Sequence, residues 1–232
     1  MSQTAINLIA ISVFLMTLSS LLGPLIHLSP TIPALATVGF LGIATLDNFS
    51  FEGKGGTILL DWLARFSPAY RDRIIHHEAG HFLAAYLLGI PITGYTLSAW
   101  EAWQQGQPGL GGVTFNDEEL AAQLQENKIS AQMLDRYCTM WMAGIAAETL
   151  VFNSMEGGGD DKAKLREVLQ AVGCSEAVCQ QKQRLHLLQA KNLIQSNLSS
   201  YQALVTAMQQ KAGVAECQQV IKRLLPAETE IL

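Results

Sequence analysis

The chain has 232 residues, a net charge of −5, 49% hydrophobic residues and only 15% charged ones. That length allows one ordinary domain plus an appendage, and the negative balance, with no basic patch interleaved with aromatics, argues against a nucleic-acid partner. The apolar excess is uneven, because from Met1 to Leu46 there is no Asp, Glu, Lys or Arg.

This charge-free start reads as a membrane anchor over residues 1–50. Ala5 to Leu28 is long enough to span as a helix. His27 to Pro33 looks like a turn, and Ala34 to Leu46 is a second, shorter apolar run that Asn48, Phe49 and Phe51 would extend into the interface. A secretory signal peptide is the rival reading, weakened by the missing basic n-region and the length of the apolar stretch. Lys54, Arg65, Arg71 and Arg73 all follow the second run. The positive-inside rule therefore predicts an integral membrane protein whose remaining chain lies on the cytoplasmic side, or the stromal side of a plastid. Residues 51–68 form the expected linker, with Leu59, Leu60, Trp62, Leu63 and Phe66 beside Asp61 and Arg65 as an interfacial segment.

Ser67 and Pro68 give a helix start, as N-cap and first helical residue. Nothing breaks that helix before Gly89, and Pro91 follows as a stop. Inside it stands His77-Glu78-Ala79-Gly80-His81. Residues four apart share one helix face, so the two imidazoles can grip one Zn²⁺, and Glu78 can reach a water on it. Phe82 to Leu88 is nearly all apolar, so the helix is expected to be buried. A glutamate there is costly without a charged partner, which disfavours reading the pair as ordinary core histidines. Gly80 costs roughly 1 kcal/mol inside a helix, so a metal or another backbone is expected to pass close to it. His76 points elsewhere and is assigned a surface or supporting role.

Ile92 to Phe115 has a strand-and-loop composition and is the only plausible sheet. Asn116, followed by Asp117, Glu118 and Glu119, caps a short helix reaching about Glu126. Ser130 opens a buried helix from Ala131 to about Phe152. Gly157, Gly158 and Gly159 break the chain before Asp160 and Asp161, and a helix then runs to Val172 and stops at Gly173. Ser175 caps a long helix to about Ala212, with Leu187, Ile194, Leu198, Tyr201, Val205 and Met208 along an apolar stripe. That stripe is expected against the domain or a neighbouring subunit, a coiled coil being disfavoured by the irregular charge pattern. A last helix runs from Val214 to Leu225 before Pro226. The fold class is thus mainly α with a small β element. Cys138, Cys174, Cys179 and Cys217 match no strong zinc spacing and are expected to be reduced.

A catalytic zinc usually takes three protein ligands plus water. Asp160 and Asp161, at a helix entry after the glycines, are candidates for the third, and Glu148 on the buried helix is another.

His76 to Leu88, HHEAGHFLAAYLL, resembles the protease motif of the FtsH family of membrane-anchored zinc proteases. Ala143 to Asn153, AGIAAETLVFN, is similar to that family's small-residue helix, and Gly157 to Lys162, GGGDDK, to its glycine loop ending in Asn-Asp. Gly109 to Phe115, GLGGVTF, resembles its strand region. The resemblance spans roughly Tyr70 to Leu225 and implies a mostly helical peptidase domain over 69–226. It implies Asp161 as the third zinc ligand, Asp160 in place of the family's Asn, and Glu148 as support for the site. Glu78 would then be the general base that passes a proton to the leaving amine, and the Thr96 to Phe115 region could dock an extended peptide by backbone pairing.

Family members carry an ATPase module before the protease domain. Here Gly53-Lys54 is followed by Gly55, no GxxxxGK[ST] loop exists, and there is no room for the module between Leu46 and Tyr70. The expected function is a membrane-bound zinc metalloendopeptidase acting on unfolded or membrane-associated proteins. Its expected partners are protein or peptide substrates, the lipid bilayer, and either copies of itself or an ATPase-bearing family member. One alternative is a non-proteolytic assembly factor or chaperone on a protease-like fold, against which the intact metal set speaks. Another is a site-2-type intramembrane protease, but Arg71, Asp72 and Arg73 before the motif are expensive inside a bilayer, and no Asn-Pro motif follows.

Overall fold

The computed structural model describes residues 3–27, 29, 31–50, 67–106, 111–126 and 128–225. The interfacial segment expected before Ser67 and the Pro226 stop lie outside the described residues. In chain order the elements are α1 (Gln3–Leu22), a 3-10 turn (Gly23–Ile26), α2 (Thr31–Ser50), α3 (Pro68–Leu87), β1 (Ile92–Thr96), α4 (Ala99–Gln104), β2 (Gly112–Phe115), α5 (Glu118–Gln125), α6 (Ala131–Phe152), α7 (Gly159–Ala171), α8 (Glu176–Ser196), α9 (Leu198–Gln209) and α10 (Val214–Leu224). They form two compact units, one made of Met1–Ser67 and Ser98–Gly111, the other of Pro68–Leu97 and Gly112–Leu232. The mainly helical expectation holds.

In the first unit, Thr37 Oγ1 on α2 lies 2.8 Å from Pro33 O and 3.0 Å from Met16 Sδ on α1. Ser98 caps α4 by accepting from Glu101 N at 2.9 Å, and the exposed Trp100 and Trp103 rings sit 5.0 Å apart. The two-span anchor is corrected. Among the described residues no helix is long and apolar enough to cross a membrane. α1 ends at Leu22, where the 3-10 turn Gly23–Ile26 cuts short the span expected to reach Leu28, and α2 closes on Asp47, Asn48 and Ser50. Absence of charge is not the same as a sufficient apolar span. The integral-membrane placement, with the catalytic domain on the cytoplasmic or stromal side, falls with it.

The second unit is built around α6, which packs against α3 on one side and α8 on the other. Phe82, Leu83, Ala84 and Ala85 of α3 are fully buried, as are Met140, Met142 and Ile145 of α6. Gly80 lies at a close approach of the two helices. A Cβ there would lie 2.5 Å from Ala143 O and 2.8 Å from the Ala147 Cβ. The expectation of a close neighbour at Gly80 is met by the backbone of α6. β1 and β2 pair antiparallel, with a bulge between Ile92 and Gly94.

Capping chemistry sets the helix limits. Ser130 Oγ accepts from Met133 N at 3.1 Å and Ser175 Oγ from Val178 N at 3.5 Å. Asn116 Oδ1 accepts from Glu118 N at 3.1 Å, one residue outside the cap position that Asp117 holds. The single long helix expected from Ser175 to Ala212 is corrected to two. Asn197, at φ −123° and ψ 35°, separates α8 from α9, and its Nδ2 donates to Leu193 O at 2.9 Å. An asparagine that bonds its own backbone competes with helix continuation. The break lets Tyr201, Leu204 and Met208 turn into the core. All four cysteines are free thiols.

His186 of α8 is fully buried against α6, its Nδ1 3.0 Å from Thr139 Oγ1 and its Nε2 3.5 Å from the exposed Asp135 carboxylate. Burial lowers its pKa more strongly than Asp135 raises it. The folded state therefore keeps His186 neutral while the unfolded chain takes up a proton below about pH 6.5, so stability falls as pH drops through that value. The thermal midpoint is expected to decline from about pH 7 to about pH 5, and less steeply in His186→Leu. His76, also lowered by burial, accounts for part of the remainder. An equally steep decline in the variant contradicts this assignment.

Candidate metal centre

The α3 helix presents His77 and His81 one turn apart, with their Nε2 atoms 3.1 Å from each other. The loop after α6 and the first turn of α7 bring Asp161 to the same point. Its Oδ2 lies 3.1 Å from His77 Nε2 and its Oδ1 3.4 Å from His81 Nε2. Donors about 2.0–2.1 Å from a tetrahedral zinc stand about 3.3 Å apart, so these separations fit a shared cation. The three residues form a group that can hold a metal ion.

Both imidazoles are fixed from behind. His81 Nδ1 lies 2.8 Å from Met140 O and donates to it, so Nε2 is the nitrogen that faces the centre. His77 Nδ1 lies 2.7 Å from Glu148 Oε1. Space for the centre is kept by Gly144 on α6, where a Cβ would fall on His77 Nε2 and lie 2.5 Å from His81 Nε2. Gly158, at φ +80°, precedes α7 and turns the chain so that Asp161 faces inward.

The electrostatics describe a pocket that attracts cations. Burial alone pushes Asp161 up, but His81 and His77 bring it well below the carboxylate range. Burial likewise opposes the charge on Glu148, yet hydrogen bonds from His77, Glu156 N–H and Arg73 lower it to about 2. For His77, burial disfavours protonation, while Asp161, Glu148 and Glu78 together raise it to about 10. His81 is raised in the same way, chiefly by Asp161 against the effect of burial. Without a metal, protons on the imidazoles balance the carboxylates. A bound cation takes over that balance and releases them.

Glu78 stays out of the ligand cluster. Its Oε2 accepts from Val113 N of β2 at 2.9 Å, so the strand fixes the carboxylate that α3 presents next to His77. Asp160 is exposed and Asp161 half-buried, which separates the two acids that the sequence left open. Glu148 lies behind His77 and does not converge with the ligands. His76 points away from the centre, with Nδ1 2.8 Å from Tyr201 Oη and its ring edge-on to Phe152, and so joins α3 to α9.

Sequence reasoning missed Gly144, the Met140 carbonyl and Arg73. The small-residue run Ala143-Gly144-Ile145-Ala146-Ala147 was a usable signal for the first. The i−4 spacing of Arg73 to His77 was one for the last. No family model matches the chain, and no curated protein matches it.

Proposed function

We propose that this chain is a zinc-dependent endopeptidase that cleaves unfolded polypeptide. The observation that carries the reading is the convergence of His77 Nε2, His81 Nε2 and the Asp161 carboxylate on one point, with Glu78 held beside them by Val113 N–H. Imidazole and carboxylate donors at tetrahedral spacing suit zinc. When bound, zinc supplies Lewis acidity, which acidifies a water and polarises a substrate carbonyl. With Oε2 of Glu78 engaged by the strand, Oε1 would be the atom to take a proton from the attacking water and deliver it to the leaving amine. The resemblance of His76–Leu88, Ala143–Asn153 and Gly157–Lys162 to FtsH-type peptidases supports the same roles. Backbone groups of the short β1–β2 sheet would hold an extended substrate, which favours unfolded chains.

Purified alone, the protein is expected to degrade casein at a rate indifferent to ATP and to leave a tightly folded substrate intact. ATP-stimulated digestion of a folded substrate by this chain alone would overturn the reading, because its sequence contains no phosphate loop.

A further inference from the structure

Arg73 lies one turn before His77 on α3, so Arg73, His77 and His81 follow one another along a single helix face. Its side chain is only 15% exposed. Nη1 donates to Glu148 Oε2 at 2.9 Å and to Ser154 O at 3.2 Å. Nη2 donates to Ser154 Oγ at 3.2 Å and pairs with Glu156 at 3.3 Å. The guanidinium lies over the Phe152 ring, 4.5 Å from its centroid. Glu148, 1% exposed, uses its other oxygen on His77 Nδ1 and also accepts from Glu156 N at 2.8 Å. Ser154 and Glu156 belong to the loop that leads from α6 to Asp161.

The geometry points to Arg73 as the positioning residue of the metal centre. It holds Glu148 behind His77 and fastens the Ser154–Glu156 loop that delivers Asp161. The planar fork of arginine satisfies several acceptors at once, which a lysine cannot do. The inference rests on the zinc reading above but does not depend on peptide hydrolysis. Charge and organisation predict opposite signs here. A guanidinium near a cation site weakens it by repulsion alone, so removing an electrostatic bystander would tighten zinc binding. Removing a positioning residue loosens it.

The test is zinc affinity of the full-length chain by competition with a chromophoric chelator. It compares the parent, Arg73→Gln and Arg73→Lys, each with and without Glu148→Gln. Arg73→Gln is expected to weaken zinc binding about 10- to 100-fold, the usual cost of losing a partner behind a ligand, and Arg73→Lys by less. The loss is expected to shrink once Glu148 is Gln. Amide exchange at Glu156 and Gly157 is expected to speed up in Arg73→Gln. If that variant does not fold, Arg73→Lys carries the comparison. Unchanged or tighter binding in the Arg73 variants, or an equal loss in the Glu148→Gln background, overturns the inference and leaves the metal centre standing. A parent that takes up no zinc removes the reading beneath both.

Discussion

Glu78→Gln is expected to take up zinc as the parent does and to lose peptide hydrolysis by about 100- to 10,000-fold, the range that a general acid–base group contributes. The amide is nearly isosteric with the carboxylate and can still receive the Val113 N–H bond at Oε1. Packing of α3 against β2 therefore survives. What the amide cannot do is accept a proton and hold it for the leaving amine. Zinc content by elemental analysis and casein cleavage on the same sample separate the two effects. Equal activity in variant and parent would remove Glu78 from the chemistry. Loss of zinc along with activity would make it a ligand, against its place beside β2.

Asp161→Asn is expected to weaken zinc binding by more than the roughly 10- to 100-fold cost of an outer partner, whereas Asp160→Asn leaves it within a few-fold of the parent. The reason is position. Asp161 meets both imidazole Nε2 atoms, and Asp160, its neighbour on the first turn of α7, is exposed. The Asn variant keeps the shape of the side chain but not the charge that balances the cation. Chelator competition at neutral pH gives the two affinities directly. The opposite ranking would put the third ligand on Asp160 and contradict the loop geometry around Gly158.

Much of this centre was legible before any fold was known, and the reason is local. The i, i+4 spacing of His77 and His81 fixes their common face in any helix, Pro68 stands at the first position of α3, and Ser130 and Ser175 mark helix starts through backbone bonds that the next few residues complete. Gly80 was read correctly as a point of close approach. Its neighbour, the carbonyl of Ala143, is a tertiary fact, and so is the gap that Gly144 keeps for the ligands. The break at Asn197 escaped notice because a one-residue interruption leaves the 3.6-residue periodicity of the apolar stripe almost intact. The N-terminal reading failed for another reason. Absence of charge marks an apolar stretch but not its helical length: α1 ends at Leu22, short of Leu28, and among the described residues no helix is long and apolar enough to cross a membrane. The grouping of Ser98–Gly111 with the N-terminal residues has no counterpart in any local pattern. Arg73 enters the sequence reading as a charge, both for the positive-inside rule and against burial in a bilayer, although its i−4 spacing to His77 puts it on the same helix face as the two histidines.

Metal removal and return tests the central claim most directly. The purified full-length protein is stripped with a chelator, assayed on casein, then given zinc in steps while bound metal and cleavage rate are followed together. The account predicts no cleavage in the stripped protein, and activity that returns in proportion to zinc and levels off at one ion per chain. Cleavage that persists without metal, or zinc that binds with His77 and His81 both replaced by alanine, would contradict it.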